Sequence, residues 1–202
     1  MKLIYALLLT LSTAAIAAPP TGSLTGEIPG ANKRYAGIKN FKMVMPGVLY
    51  RGGGTGGKVP LADAQLDALC ADGFTSATYA YKTGWTGSKS ANCAGNRISY
   101  DYRQWDNASA LKSTLREIHD IIRSGQGAMY VHCWYGVHAS GYIVTTALMQ
   151  FCGYSSEKAV AYWNSNVPAK LQYPKVQAKI RAFTPYKEFE ISAADQARVC
   201  PN

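Results

Sequence analysis

Residues 106–153 constrain the fold more than any other stretch of this chain. DNASALKSTLREIHDIIRSGQG places Leu111, Leu115, Ile118 and Ile122 at helical spacing, opens at Asp106 or Asn107, and stops at Gly125. AMYVHC follows, a short apolar run of the kind that forms a buried strand. From about Ser140, SGYIVTTALMQFCG reads as an apolar helix ending at Gly153. A buried strand between two helices needs further strands beside it and helices over it, which is an α/β arrangement.

The remaining segments supply those partners. FKMVMPGVLYRGG reads as two short strands around a Pro46-Gly47 turn. LADAQLDALCADG is helical, with Leu66, Leu69 and Cys70 on one face and Gly73 as its stop. FTSATYAY and RISYDY have strand chemistry, and KTGWTGSKSANCAGN between them reads as a loop. SSEKAVAYWNSN and YPKVQAKIRAFT give two more helices. The expected fold is a central, mostly parallel sheet flanked by helices, in one domain over 40–202, preceded by an irregular, Gly/Pro-rich lead-in over 19–39.

Residues 1–18 read as a secretory leader. Lys2 gives the basic start, an apolar run follows, and Ala15, Ala17 and Ala18 supply an Ala-x-Ala type cleavage site. The apolar run is shorter than the roughly 20 residues a membrane span needs. The expected location is therefore periplasmic or secreted, with no span left after cleavage. The formal charge is +9. No Lys/Arg block interleaves with aromatics, so nucleic acid is not the expected partner. Outside the cytoplasm such a charge suits phosphorylated small molecules or phosphoproteins.

The chain has five cysteines. In an oxidising compartment an odd count leaves one thiol over. Cys70 and Cys93 flank one helix-to-loop stretch, and Cys152 and Cys200 lie at the end of an apolar segment and in the tail. The expected pairs are Cys70–Cys93 and Cys152–Cys200, chosen from three possible pairings of four cysteines, with Cys133 free.

RGGGTGGKV comes close to a phosphate-binding P-loop: Gly52, Gly57 and Lys58 fit its spacing. The next residue must be Ser or Thr to hold magnesium, and it is Val59. A flexible glycine loop beside a pocket is the better reading, and no cofactor is expected.

Between the AMYVHC strand and the helix at Ser140 lies a short loop. If it curls, its N–H groups converge where the helix dipole is positive, which suits a phosphate and favours a thiolate. Cys133 would then be a nucleophile beneath a bound phosphoryl group. His132 would hold the loop, and the Ser140 hydroxyl would donate to the sulfur.

HCWYGVHASG resembles the signature of the cysteine-dependent protein tyrosine and dual-specificity phosphatases, His-Cys-x-x-Gly-x-x-Arg-Ser/Thr-Gly, through His132, Cys133, Gly136, Ser140 and Gly141. NFKMVMPGVLYRGG is similar to the start of the compact bacterial and fungal members. The resemblance spans roughly residues 40–166 and implies phosphoryl transfer through Cys133. The loop 134–139 (Trp134, Tyr135, Gly136, Val137, His138, Ala139) would bind the phosphate. An upstream acid would protonate the leaving oxygen. Asp101 is preferred for that role, because Asp106 serves as a helix cap.

The chain departs from the pattern at Ala139, which stands where the family has Arg. Losing such an arginine costs on the order of 10³–10⁵ in rate. The expected function is therefore an exported phosphatase-like protein that binds phosphate or a monoester, with hydrolysis weak or absent. Two alternatives stay open: an active phosphomonoesterase with Arg51 or Arg103 as the replacement cation, and a non-catalytic binding or signalling module. A soft metal on His132, Cys133 and His138 is a further alternative, though a closed zinc site wants four ligands, so no metal is the expected state. His119 is expected on the surface of its helix. Tyr79, Tyr81, Trp85, Tyr100, Tyr102 and Trp105 make the surrounding segments aromatic.

Overall fold

The computed structural model of the chain describes residues 17–201. The leader over 1–18 falls almost wholly outside the described residues. β1 (Lys42–Met45) and β2 (Leu49–Gly52) form the expected antiparallel pair about Pro46-Gly47. β3 (Ser76–Tyr79), β5 (Asn96–Tyr102) and β6 (Met129–His132) join β2 in parallel register. β4 (Ser88–Cys93) closes the far edge antiparallel to β5. The six-stranded order is β1-β2-β6-β3-β5-β4, mostly parallel, with β6 near the centre.

β4 corrects the expectation of a loop over 82–96. Its residues, SKSANC, lack β-branched and aromatic side chains, and they alternate exposed and half-buried. An edge strand needs only one neighbour and no buried face, so small polar residues suffice. Two residues, Ala94 and Gly95, turn the chain into β5, and Gly95 has φ 76°.

Among the described residues seven α-helices cover the sheet: α1 (Ala31–Arg34), α2 (Asp63–Ala71), α3 (Ala108–Ser124), α4 (Ala139–Cys152), α5 (Ser156–Ser165), α6 (Pro174–Arg181) and α7 (Ala193–Val199). α1 and α7 were not expected from the sequence. The lead-in is irregular apart from α1, yet it is packed, with Ile28, Ala31, Tyr35 and Ile38 buried. Asn107 caps α3 by accepting from the Ala110 N–H at 2.9 Å, which removes the cap role from Asp106. His119 is largely covered, with its ring 5.7 Å from that of Phe189.

Side chains alternate across the sheet, as a strand's period of two requires. On β6, Met129, Val131 and then Cys133 face a core made with α3 to α7. Ala128 and Tyr130 face a second core made with the lead-in and α2. Both disulfides are as expected: Cys70–Cys93 ties α2 to β4, and Cys152–Cys200 ties the end of α4 to the tail. They are compatible with export. Cys133 is free and buried. No helix among the described residues is long and apolar enough to cross a membrane.

Candidate functional site

β6 ends at His132, and α4 begins at Ala139, so the loop 133–138 spans the step from sheet to helix. Its carbonyls are held one by one from the scaffold. The first hold starts at the Leu61 N–H, which donates to the Tyr100 hydroxyl at 3.0 Å. That hydroxyl donates to His132 Nε2 at 2.7 Å, leaving the proton on Nδ1, which faces the Cys133 carbonyl at 3.3 Å. Burial pushes the His132 pKa down to about 3, so the ring is neutral, and burial raises that of Tyr100, so its hydroxyl keeps its proton.

The next carbonyls are taken in turn. Trp134 O accepts from the Gly54 N–H at 3.1 Å. Asn40 Nδ2 donates to Tyr135 O at 3.1 Å and to Gly136 O at 3.3 Å. Arg51 Nη2 donates to Gly136 O at 2.9 Å. All peptide bonds here are trans, which sets each N–H opposite the preceding carbonyl. The N–H groups of Trp134 to Val137 therefore turn away from the scaffold. Among the described residues, none of them donates a hydrogen bond.

Glycines make this approach possible. Gly136 has φ 72°, and a Cβ there would lie 2.2 Å from the Gly52 carbonyl carbon. A Cβ on Gly53 would meet Trp134 O at 2.7 Å. The glycine run after β2 is thus a floor for the Cys133 loop. Its triple glycine was the visible signal.

Cys133 Sγ lies 3.4 Å from Ser140 Oγ, with both side chains buried. Cys133 also lines a cavity of about 390 Å³, with Tyr81, Trp105, Trp134, Tyr135, Val137, His138, Ala139, Leu171, Tyr173 and Val176. Trp134 and Tyr135 stack at 4.5 Å and wall this cavity. Tyr135 and Tyr173 are two of three exposed large hydrophobic residues among the described residues, and the third, Val59, follows Lys58. Leu171, Tyr173 and Val176 were not singled out from the sequence, because they lie beyond the segment carrying the motif. Of the other aromatics, Tyr81 and Trp105 reach the cavity, whereas Tyr79 and Tyr100 stack on His132 inside the second core.

Neither candidate arginine lines the cavity. Arg103 is paired with Glu117 and with Asp101, the latter at 3.3 Å. Arg51 is fully buried behind the loop, and its Nε and Nη1 have no acceptor among the described residues. Asp101 is occupied by Arg103 and does not line the cavity. Asp106 lines an adjoining cavity of about 430 Å³ that shares Trp105 with the first. Both ring nitrogens of His132 are engaged as above, and His138 Nε2 is engaged with Leu171 O at 3.0 Å. No cluster of three His, Cys, Asp or Glu side chains among the described residues could hold a metal ion.

No protein-family model matches the chain, and no curated protein matches it.

Proposed function

We propose that the Cys133 loop is an anion-binding loop of the cysteine-phosphatase type, which takes phosphate or a phosphate monoester and hydrolyses it weakly or not at all. The observation that carries this reading is the set of four consecutive loop carbonyls, Cys133 to Gly136, each held by a scaffold donor or facing one. Amides arranged in this way bind an anion through N–H donors fixed before the ligand arrives. The Ser140 hydroxyl lies in reach of Cys133 Sγ. The expected weakness follows from Ala139, which lines the cavity and whose side chain has no donor to give. Where residual turnover occurs, Asp106 is the better acid, because Asn107 does the capping and Asp106 lines the adjoining cavity that shares Trp105 with the Cys133 cavity.

The test is an aryl phosphate assay on the wild type, Cys133→Ser and Ala139→Arg, with alkylation of Cys133 followed in parallel. The expected result is negligible wild-type turnover, a gain in Ala139→Arg, and slower alkylation of Cys133 when phosphate is present. The cavity beside Ala139 leaves room for the longer side chain. Strong wild-type turnover abolished by Cys133→Ser would overturn the loss of hydrolysis. Failure of phosphate to protect Cys133 would overturn the binding itself.

A further inference from the structure

We infer that Lys58 is the cation that recruits the anionic ligand to the Cys133 cavity, from outside the loop that lost its arginine. The inference deepens the phosphate-binding reading, and its ligand class is an anion that reaches the thiol.

Two rings that wall this cavity, Trp134 and Tyr81, share one ammonium. Lys58 Nζ lies 5.1 Å from the Trp134 ring centroid and 5.7 Å from that of Tyr81. Trp134 immediately follows the cysteine, so the charge sits beside the reacting sulfur's own loop. No carboxylate pairs with Lys58 among the described residues, and none lines the cavity. Its positive charge is therefore available to a ligand.

Among the described residues, Lys58 is the one basic group that lies over two rings of this wall. Arg51 points its Nη2 at Gly136 O from behind the loop. Arg103 is held by two carboxylates. His138 Nε2 donates to Leu171 O. Lys179 touches only one of the walls, Trp105 at 5.8 Å, and lines the adjoining cavity that also holds Asp106.

The segment bearing Lys58 is suited to bringing a charge in and letting it go. Gly56 and Gly57 adopt φ of 126° and 99°, and Lys58 itself is exposed. A flexible ammonium against two rings of the wall does what a planar guanidinium inside the loop would not. It attracts an anion as a point charge and imposes no two-pronged geometry on it. This separates recruitment from transition-state stabilisation, and only the second is lost with the arginine.

The experiment compares two alkylating reagents of similar size on the intact protein, anionic iodoacetate and neutral iodoacetamide. The ratio of their rates at Cys133 reads the local charge and needs no phosphate. Lys58→Met keeps the stem on Trp134 and removes the charge. It is expected to lower the iodoacetate-to-iodoacetamide ratio several-fold, and Lys58→Arg to restore it. Lys179→Met, the control, is expected to leave it unchanged. A ratio that Lys58→Met does not alter, or that Lys179→Met alters equally, would overturn the assignment. A second arm measures protection of Cys133 by phenyl phosphate, which should weaken about ten- to a hundred-fold in Lys58→Met, the usual reach of a charged hydrogen bond. If the ratio shifts while phenyl phosphate protects neither protein, Lys58 still recruits anions and only the phosphate reading falls.

Discussion

The two faces of the sheet are built from different materials. One is aliphatic where the sheet meets it: Leu49, Met129 and Val131 meet Leu115, Ile118, Ile143 and Leu148 from α3 and α4, while rings such as Phe151 and Trp163 lie among the helices behind them. The other is aromatic: Tyr35, Phe41, Tyr50, Phe74, Tyr79, Tyr100 and Tyr130 fill the space under the lead-in and α2. With few helices to cover it, that face uses large rings for volume. Phe41 stacks on Tyr35 at 4.5 Å and on Tyr130 at 5.1 Å. The rings bring hydroxyls with them, and two of these are put to use beneath the site. Tyr100 holds His132, and Tyr130 donates to Gly53 O at 2.7 Å. The aliphatic face supplies the bulk and the cavity wall, while the aromatic face supplies the hydrogen bonds that aim the loop.

If that division holds, damage to the two faces should separate. Leu115 is fully buried on the aliphatic face, and Leu115→Ala should cost about 2–5 kcal/mol of unfolding free energy in urea titrations. Well below the transition, the rate at which iodoacetamide reaches Cys133 should stay near that of the wild type. Tyr100→Phe removes one hydroxyl and strands both the Leu61 N–H and His132 Nε2. It should cost less, about 1–3 kcal/mol, and yet change the Cys133 rate. The reverse pattern would show that the faces do not divide the work in this way.

This division was half legible in the sequence. The aliphatic face was readable because α3 repeats its apolar residues at helical spacing and β6 is continuously apolar. The aromatic residues were visible as a group, but strand propensity cannot tell Tyr81, which walls the cavity, from Tyr79, which stacks on His132. The loop's cysteine, serine and glycine could be read from their spacing. Asn40, Tyr100 and Gly53 could not, because they are brought to the loop only by strand order. β4 was missed because an exposed edge makes no demand on side-chain type.

His132 ties the aromatic face to acid stability. Its folded pKa of about 3 lies below the ordinary value of 6.5. Between those values the unfolded chain binds a proton that the folded chain refuses, so stability falls as pH drops from 6.5 toward 3. The expected slope from this one group is up to about 1.4 kcal/mol per pH unit. Urea midpoints at pH 7, 5.5 and 4.5 measure it, and His132→Gln should flatten the dependence. An equally steep fall in that variant would move the acid sensitivity to the carboxylates of the surface pairs.

Each face also has one staple, and the smallest expected difference lies there. Cys152–Cys200 closes 48 residues on the aliphatic side, and Cys70–Cys93 closes 23 on the aromatic side. Loop-closure entropy rises by only about 0.6 kcal/mol per doubling, so loss of the longer bridge should cost roughly 0.6 kcal/mol more. Paired Cys→Ala variants compared in urea would resolve it. A larger loss from Cys70→Ala/Cys93→Ala would mean that the aromatic face leans on its bridge beyond chain entropy. The reason would be β4, an edge strand of small polar residues whose packing partners are chiefly β5 and α2. Reducing the bridge would then free that edge, and amide exchange would be faster in β4 than in β1 at the opposite edge.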